Sequence, residues 1–123
     1  MSGGRRTRLW RKINYKIGLI AEFIAALYLR CKFYNIIAQR YKCYFGELDI
    51  IAIRGNKIVF IEVKKRATHD MESISSASSK RIYNSASFFL SKNALFENYE
   101  VSIDLIQLNR FLIPKHFENY INW

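Results

Sequence analysis

The chain has few cysteines, and the two it contains do not form the framework of a small stapled domain. Cys31 and Cys43 are the only cysteines among 123 residues. Neither belongs to a Cys-x-x-Cys pair, and no histidine cluster with zinc spacing accompanies them. We therefore expect no disulfide scaffold and no structural zinc, and we predict that both are reduced thiols in or near the core.

The chain also lacks a long hydrophobic run. Its most apolar stretch, residues 17–29, is interrupted by Glu22 and falls short of the roughly 20 apolar residues that span a bilayer. No small-residue cleavage site follows this stretch, so it does not have the form of a secretory signal. These absences predict a cytoplasmic protein with no membrane partner.

Acidic residues are scarce, at 10 against 20 Lys and Arg, and the net charge is +10. This excess favours an anionic partner, with nucleic acid as the leading candidate. Alternatively, the positive charge keeps the protein soluble, or it binds a membrane surface or ribosomal RNA. Residues 1–12 are predicted to be a basic arm, either a frayed tail or one that lies along phosphates through Arg5, Arg6 and Arg8. The length of the remainder predicts one domain over residues 13–123.

The pattern of apolar and polar residues predicts an α/β domain with a mixed sheet. The predicted order is a helix, a strand, a central hairpin, a second helix, a strand and a short last strand, at residues 14–32, 35–44, 46–66, 78–92, 99–108 and 111–113. Pro114 is expected to end the last strand. A Ser-rich connection, residues 66–79, is predicted to be mobile.

The first predicted helix has large apolar residues at helical spacing, and these are expected to face the core. They are Ile20, Phe23, Ile24, Leu27, Tyr28 and Cys31. Its opposite side carries small residues such as Ala25 and Ala26, so we expect a helix buried nearly all round. Glu22 lies in this small-residue face, which favours a carboxylate directed at a partner over a solvated one.

Gly55 and Asn56 predict a two-residue hairpin loop, because both residues tolerate positive φ. With that loop, Asp49 faces Glu62 and Glu47 faces Lys64. Alternation then gives two sets of residues. One face carries these four charged residues with Ile51, Ile53, Ile58 and Phe60, and the other carries Leu48, Ile50, Ala52, Val59, Ile61 and Val63.

The facing carboxylates of Asp49 and Glu62 repel each other unless a proton, Lys64 or a cation offsets the charge. One reading is a surface ion pair between Lys64 and Glu47, with the other two carboxylates solvated. The other is a site for Mg²⁺, with Mn²⁺ as a substitute, formed by Asp49, Glu62 and the carbonyl of Val63. Lys64 would then orient a water molecule or stabilise phosphate charge, and phosphodiester hydrolysis is the natural chemistry.

An aspartate, a hairpin and then Glu-x-Lys resembles the core signature of the PD-(D/E)xK nuclease superfamily. More narrowly, GELDIIA (46–52) followed by FIEVKKR (60–66) resembles the YraN-like family, small bacterial proteins with a Holliday-junction-resolvase-like fold. The resemblance implies a restriction-endonuclease-like sheet. It also implies Asp49 and Glu62 as metal ligands, Lys64 as the catalytic lysine and Glu22 as a helical carboxylate that assists the metal or a water.

Two functions remain open at this point. One is a metal-dependent endonuclease acting on DNA, with branched or structured DNA as one option, and a resolvase-like activity would favour a homodimer. The other is a non-catalytic nucleic-acid-binding module that keeps the nuclease fold. Lys65 and Lys80 join the basic arm as candidate nucleic-acid contacts. Asp104, in the late strand, is expected to cap a backbone group or pair with an arginine.

Overall fold

The computed structural model describes residues 3–65 and 75–123, with side chains described from Thr7 onward. The elements in chain order are α1 (Gly3–Cys31), β1 (Asn35–Cys43), β2 (Gly46–Arg54), β3 (Lys57–Lys65), α2 (Ser76–Lys92), a 3₁₀ turn (Ala94–Phe96), β4 (Glu100–Leu108) and β5 (Pro114–Ile121). The five strands form one sheet in the order β1-β2-β3-β4-β5. Only β3 and β4 are parallel, so the sheet is mixed, as predicted.

The two helices cover opposite faces of this sheet and create two hydrophobic clusters. The cluster under α1 contains Ala21, Ala25, Ala26, Leu29, Tyr34, Ile50, Ala52, Val59, Ile61, Ile106 and Leu108. The cluster under α2 contains Leu48, Ile51, Ile58, Phe60, Ile82, Ala86, Phe89, Phe96 and Ile103. The predicted fold, a restriction-endonuclease-like sheet with its hairpin between two helical layers, is therefore confirmed.

Helix α1 begins at Gly3, so the predicted start at Asn14 is wrong. From Gly3 onward the residues assigned to a basic arm are the first part of this helix. No proline interrupts the segment, and Leu9 and Ile13 continue the helical spacing of apolar residues. All residues from Thr7 to Lys16 are exposed, so this part of α1 extends beyond the packed body.

The face of α1 that meets the sheet also differs from the prediction. Ile20, Phe23 and Leu27 are exposed, whereas the small-residue side is buried. Alanine side chains let the helix backbone approach the sheet more closely than large side chains do, and this close packing determines which side faces inward. The helix is therefore buried on one side only. Cys31, expected near the core, is exposed, and both cysteines are free.

The hairpin has the predicted loop and the predicted pairing from Arg54–Lys57 to Ile50–Ile61. Its face assignment is wrong at Leu48, which joins Ile51 under α2 instead of Ile50 under α1. The cause is a loss of alternation at Asp49. On the neighbouring strand β1, Arg40 lies across from Asp49 between two paired residues and has a positive φ of 54°. Because of this irregularity, Leu48 faces the side of the sheet opposite to the one that strict alternation predicts.

Helix α2 begins at Ser76, after the N-cap Ser75, and buries Ile82, Ala86 and Phe89 as predicted. Residues 66–74 of the Ser-rich connection lie outside the described residues. The expected short strand at 111–113 is wrong, because Pro114 begins β5 instead of ending a strand. Proline is tolerated at the first position of an edge strand, where no ladder N–H is required. Among the described residues, neither helix has an apolar stretch long enough to cross a membrane.

Candidate active site

The two strands of the hairpin stop pairing just before their charged ends. The β2–β3 ladder ends at Ile50–Ile61, whereas β3 stays paired with β4 as far as Lys65–Leu108. At the point of divergence, the Asp49 side chain takes the role of a ladder acceptor. The backbone N–H of Val63 donates to Asp49 Oδ2 over 2.8 Å. A carboxylate is thus inserted between the two strands.

The carboxyl groups of Asp49 and Glu62 meet at this gap, within hydrogen-bonding reach of each other. Burial, the charge of Glu62 and, more weakly, the charge of Glu22 raise the pKa of Asp49 from 3.8 to about 8, although the Val63 N–H opposes the change. Two such groups cannot both be ionised cheaply without a cation. The predicted pair is therefore brought together by the side chains, although the backbone pairing ends one residue earlier.

Lys64 contacts the same pair on the α2 side of the sheet. Its Nζ lies 3.3 Å from Glu62 Oε1, and the lysine side chain is 39% exposed against 14% for the glutamate. The ion pair predicted between Lys64 and Glu47 is therefore not the one that forms. An ammonium in contact with one carboxylate, and open to solvent on its other side, can still reach an incoming anion.

Glu22 approaches Asp49 from α1, but its carboxylate is held by an arginine that the sequence analysis did not select. Arg40 Nε donates to Glu22 Oε2 over 2.8 Å. The Arg40 guanidinium also lies 5.8 Å from the centre of the Tyr15 ring. The positive φ of Arg40 aims this side chain at α1, and a sequence pattern gives no sign of such a backbone conformation.

Two cavities adjoin the carboxylates, one under each helix. The cavity on the α2 side has a volume of about 140 Å³ and is lined by Gly46, Glu47, Glu62, Lys64, Ser78, Arg81 and Ile82. The cavity on the α1 side has a volume of about 270 Å³ and is lined by Asn14, Tyr15, Gly18, Leu19, Glu22, Arg40, Lys42 and Glu47. Only Glu47 borders both, so the charged ends of the hairpin separate two openings.

The donors that the structure gathers suit a hard cation. Asp49 and Glu62 offer carboxylate oxygens, and the raised pKa of Asp49 reflects its burial first and then the neighbouring charge of Glu62, which a cation would offset. Within residues 3–65 and 75–123, no three Asp, Glu, His or Cys side chains form a metal-binding group. Mg²⁺ requires only one or two protein carboxylates, since water and phosphate complete its coordination. The carbonyl of Val63 as a third ligand remains a prediction.

The predicted nucleic-acid contacts are spread over the surface. Lys65, Lys80 and Arg8 are exposed on β3, α2 and α1, and none of them lines the cavity beside Glu62. The side chains of Arg5 and Arg6 lie outside the described part of the chain. The cationic residue of α2 that does line this cavity is Arg81, which the sequence analysis missed. The helical spacing could have indicated Arg81. It is one position from the buried Ile82, whereas Lys80 is two positions away and points further from the core-facing side of α2.

Asp104 lies in a separate buried cluster between β4 and β5. Of its two predicted roles, it accepts from a backbone N–H group and does not pair with an arginine in the described part of the chain. Its carboxylate accepts from Ser102 Oγ over 2.5 Å and from the backbone N–H of Asn119 over 2.9 Å. His116 Nε2 donates to it over 2.7 Å. The ring of His116 packs edge-on against Tyr28 and Tyr34. This enclosed cluster has a structural role and lies outside the candidate site.

The sheet order, the two helical layers and the carboxylates at the divergence of β2 and β3 define a restriction-endonuclease-like α/β protein. A family model described as "Uncharacterised protein family UPF0102" matches residues 21–110. The chain belongs to this family, which confirms the resemblance to YraN-like proteins. The matched region contains all four predicted catalytic residues, Glu22, Asp49, Glu62 and Lys64.

Curated relatives support the same assignment over nearly the whole chain. The UPF0102 protein of Chelativorans sp. (strain BNC1) is 36% identical over 118 residues, covering 94% of this chain and 95% of the relative. The UPF0102 protein of Mesorhizobium japonicum is 37% identical over 111 residues, covering 89% of each chain. One from Clostridium perfringens (strain ATCC 13124) is 34% identical over 112 residues, covering 88% of this chain and 91% of the relative.

Proposed function

We propose that this protein is a metal-dependent endonuclease that hydrolyses phosphodiester bonds in DNA, with branched or structured DNA as one option for its substrate. The observation that carries the proposal is the meeting of Asp49 and Glu62 where β2 and β3 diverge, with Lys64 in contact 3.3 Å from Glu62. A net charge of +10 favours binding of a polyanion around this site.

Asp49 and Glu62, with the carbonyl of Val63, would hold a Mg²⁺ or Mn²⁺ ion. Such an ion supplies Lewis-acid polarisation of a phosphate oxygen and makes a bound water more acidic. The protein's own backbone and side chains orient the two carboxylates. The Val63 N–H fixes one oxygen of Asp49 over 2.8 Å, so this carboxylate is oriented before substrate arrives. Glu62 is oriented in turn by its ion pair with Lys64.

Lys64 is suited to stabilise the phosphate as charge accumulates on it. In the reaction, a water oxygen bonds to phosphorus and the bond from phosphorus to the leaving sugar oxygen breaks. The water proton passes to solvent or to a nearby base, and the leaving oxygen is protonated. Arg40 holds Oε2 of Glu22 and so restrains the helical carboxylate, whose Oε1 could accept a hydrogen bond from that water.

Cleavage assays with matched variants test this function. The purified protein is incubated with duplex, flapped and four-way DNA in Mg²⁺ or Mn²⁺, beside Asp49→Ala, Lys64→Ala and Lys65→Ala. We expect cleavage by the wild type and a loss of at least about 100-fold in the first two variants. Lys65→Ala should lose far less, because Lys65 is exposed outside the cavity and could contribute only a contact to the DNA. Cleavage that survives in both Asp49→Ala and Lys64→Ala would contradict the proposed site.

A non-catalytic nucleic-acid-binding module is the second candidate, and one observation favours it. Three of the four predicted catalytic side chains are engaged in ion pairs within the protein, Glu22 with Arg40, and Glu62 and Lys64 with each other. Such pairs can stabilise a binding surface without chemistry. This function predicts salt-sensitive binding of DNA with no cleavage of any of the three substrates, whereas the endonuclease predicts both.

A further inference from the structure

The cavity on the α2 side has the composition of an anion site once a cation is present. Its charged residues are Glu47, Glu62, Lys64 and Arg81, so negative and positive groups balance. A divalent cation held by Glu62 and Asp49 would add two positive charges, and the ionised carboxylate of Asp49 would offset one of them. The occupied cavity would therefore have an excess of about one positive charge. A phosphodiester group, which carries one negative charge, matches that excess, and the volume of about 140 Å³ has room for it.

Arg81 is held in an orientation suited to this task. Its Nη2 donates to Ser78 Oγ over 3.1 Å, one turn earlier on α2. Its Cβ lies close to Gly46, at 3.8 Å from the position that a Cβ would occupy there. The stem of Arg81 therefore packs at van der Waals distance beside the start of β2 at Gly46. Arg81 is exposed to solvent and lines the same opening as Lys64.

We propose that Arg81, oriented by Ser78, is a positioning residue that binds a phosphate of the nucleic-acid strand in the cavity beside Glu62 and Lys64. This proposal rests on the proposed function and adds to it a second cation on the substrate, contributed by α2. Arginine suits this role because its planar group can donate two hydrogen bonds to one phosphate. Lys80, its neighbour in sequence, is exposed and does not line the cavity.

The pair Arg81→Gln and Lys80→Gln provides a matched test, because each change removes one charge from adjacent positions of α2 and keeps a long side chain. Binding of fluorescently labelled DNA is measured by anisotropy in Ca²⁺, an oxygen-preferring cation, over a range of salt concentrations. We expect Arg81→Gln to weaken binding about tenfold and to lower the salt slope by about 1, while Lys80→Gln, which lies outside the cavity, weakens binding by a clearly smaller factor, as an outlying phosphate contact would. Arg81→Lys is expected to recover part of the loss.

Equal losses in Arg81→Gln and Lys80→Gln would overturn the proposal, because they would indicate a diffuse basic surface. Unchanged binding in Arg81→Gln, or no DNA binding by the wild type, would also overturn it. Thermal unfolding checks that each variant folds, and Ser78→Ala offers a milder second variant with the same expected direction. If Arg81→Gln weakens binding but the wild type cuts nothing, the phosphate site stands and the endonuclease fails. If the wild type cuts DNA and Arg81→Gln retains its KM and kcat, the endonuclease stands and this inference fails.

Discussion

Replacing Asp104 by alanine is expected to destabilise the protein more than any change in the candidate active site. The carboxylate is fully buried and accepts three hydrogen bonds, from Ser102, His116 and the backbone of Asn119. Alanine would leave all three donors without their acceptor. Each orphaned buried donor costs about 1–3 kcal/mol, so we expect a loss of about 3–5 kcal/mol for the three together. For a chain of this length, that corresponds to a fall of roughly 10–20 °C in melting temperature.

The milder substitution Asp104→Asn should cause a smaller loss in the free energy of unfolding. Its oxygen can keep the bonds from Ser102 and Asn119, while its NH₂ group faces His116 Nε2. The histidine can respond by moving its proton to Nδ1, which is buried and finds no hydrogen-bond partner among the described residues. One orphaned buried donor costs about 1–3 kcal/mol, so Asn should cost less than Ala.

The effect of Asp104 on stability should depend on pH in one direction. Burial alone would raise the pKa of Asp104, but the hydrogen bonds from His116, Ser102 and Asn119 outweigh it and hold the pKa below its usual 3.8. A carboxyl group with a lowered pKa stabilises the fold above its unfolded pKa, and this contribution is lost as the pH falls through the folded pKa. The difference between wild type and Asp104→Ala should therefore be constant above about pH 4 and shrink below it.

Urea denaturation followed by circular dichroism, at pH 7 and in steps down to pH 3, measures these differences. Ser102→Ala is the matched control, because it removes one donor and leaves the carboxylate in place. A loss below about 1 kcal/mol in Asp104→Ala would refute the reasoning. So would a difference between wild type and variant that stays constant down to pH 3.

Three further outcomes are expected. Mg²⁺ at about 100 times its dissociation constant should stabilise the wild type by about 2.7 kcal/mol and leave Asp49→Ala unchanged in thermal-shift assays, and equal shifts in both would contradict the cation site. Gly46→Ala should cost about 1–3 kcal/mol in urea denaturation, because the φ of +148° is unfavourable for an L-residue, and undiminished stability would show that this conformation is not required. Arg40→Gln should raise the affinity for Mg²⁺ a few-fold, as measured by calorimetry, because it releases Glu22 from its ion pair. The same change should cost less than about 1 kcal/mol of stability. An unchanged affinity would show that Glu22 does not reach the ion.

The hairpin was predictable because its information is local. Gly55 and Asn56 fix the loop, and a two-residue loop fixes every pairing that follows, down to Ile50–Ile61. The end of the ladder was not predictable. It depends on the backbone of Arg40, a residue on another strand, and no pattern within β2 or β3 encodes that irregularity. The sequence therefore indicated which carboxylates meet, but not that Asp49 replaces a backbone acceptor for Val63.

The errors on α1 and β5 have a common origin in tertiary packing. Large apolar residues such as Phe23 and Leu27 carry a strong amphipathic signal, yet the alanine side packs on the sheet. Pro114 was expected to end a strand, but a proline does not disturb the start of an edge strand. His116 as the partner of Asp104 depends on the pairing of β5 with β4. In each case, the contact that determines the structure joins residues that are far apart in the sequence.

Helix α1 also implies an uneven distribution of local stability. A helix of 29 residues is about 44 Å long, and none of its described residues before Ile17 is even partly buried. Its second half opens only when the core opens, whereas its first half buries no described side chain and is held by helix propensity and by exposed contacts such as that of Tyr15 with Arg40. Amide hydrogens of residues 7–16 should therefore exchange with solvent orders of magnitude faster than those of residues 21–29. The positive charges at 8, 11, 12 and 16 are thus carried by a segment that can unwind and re-form at little cost to the rest of the fold.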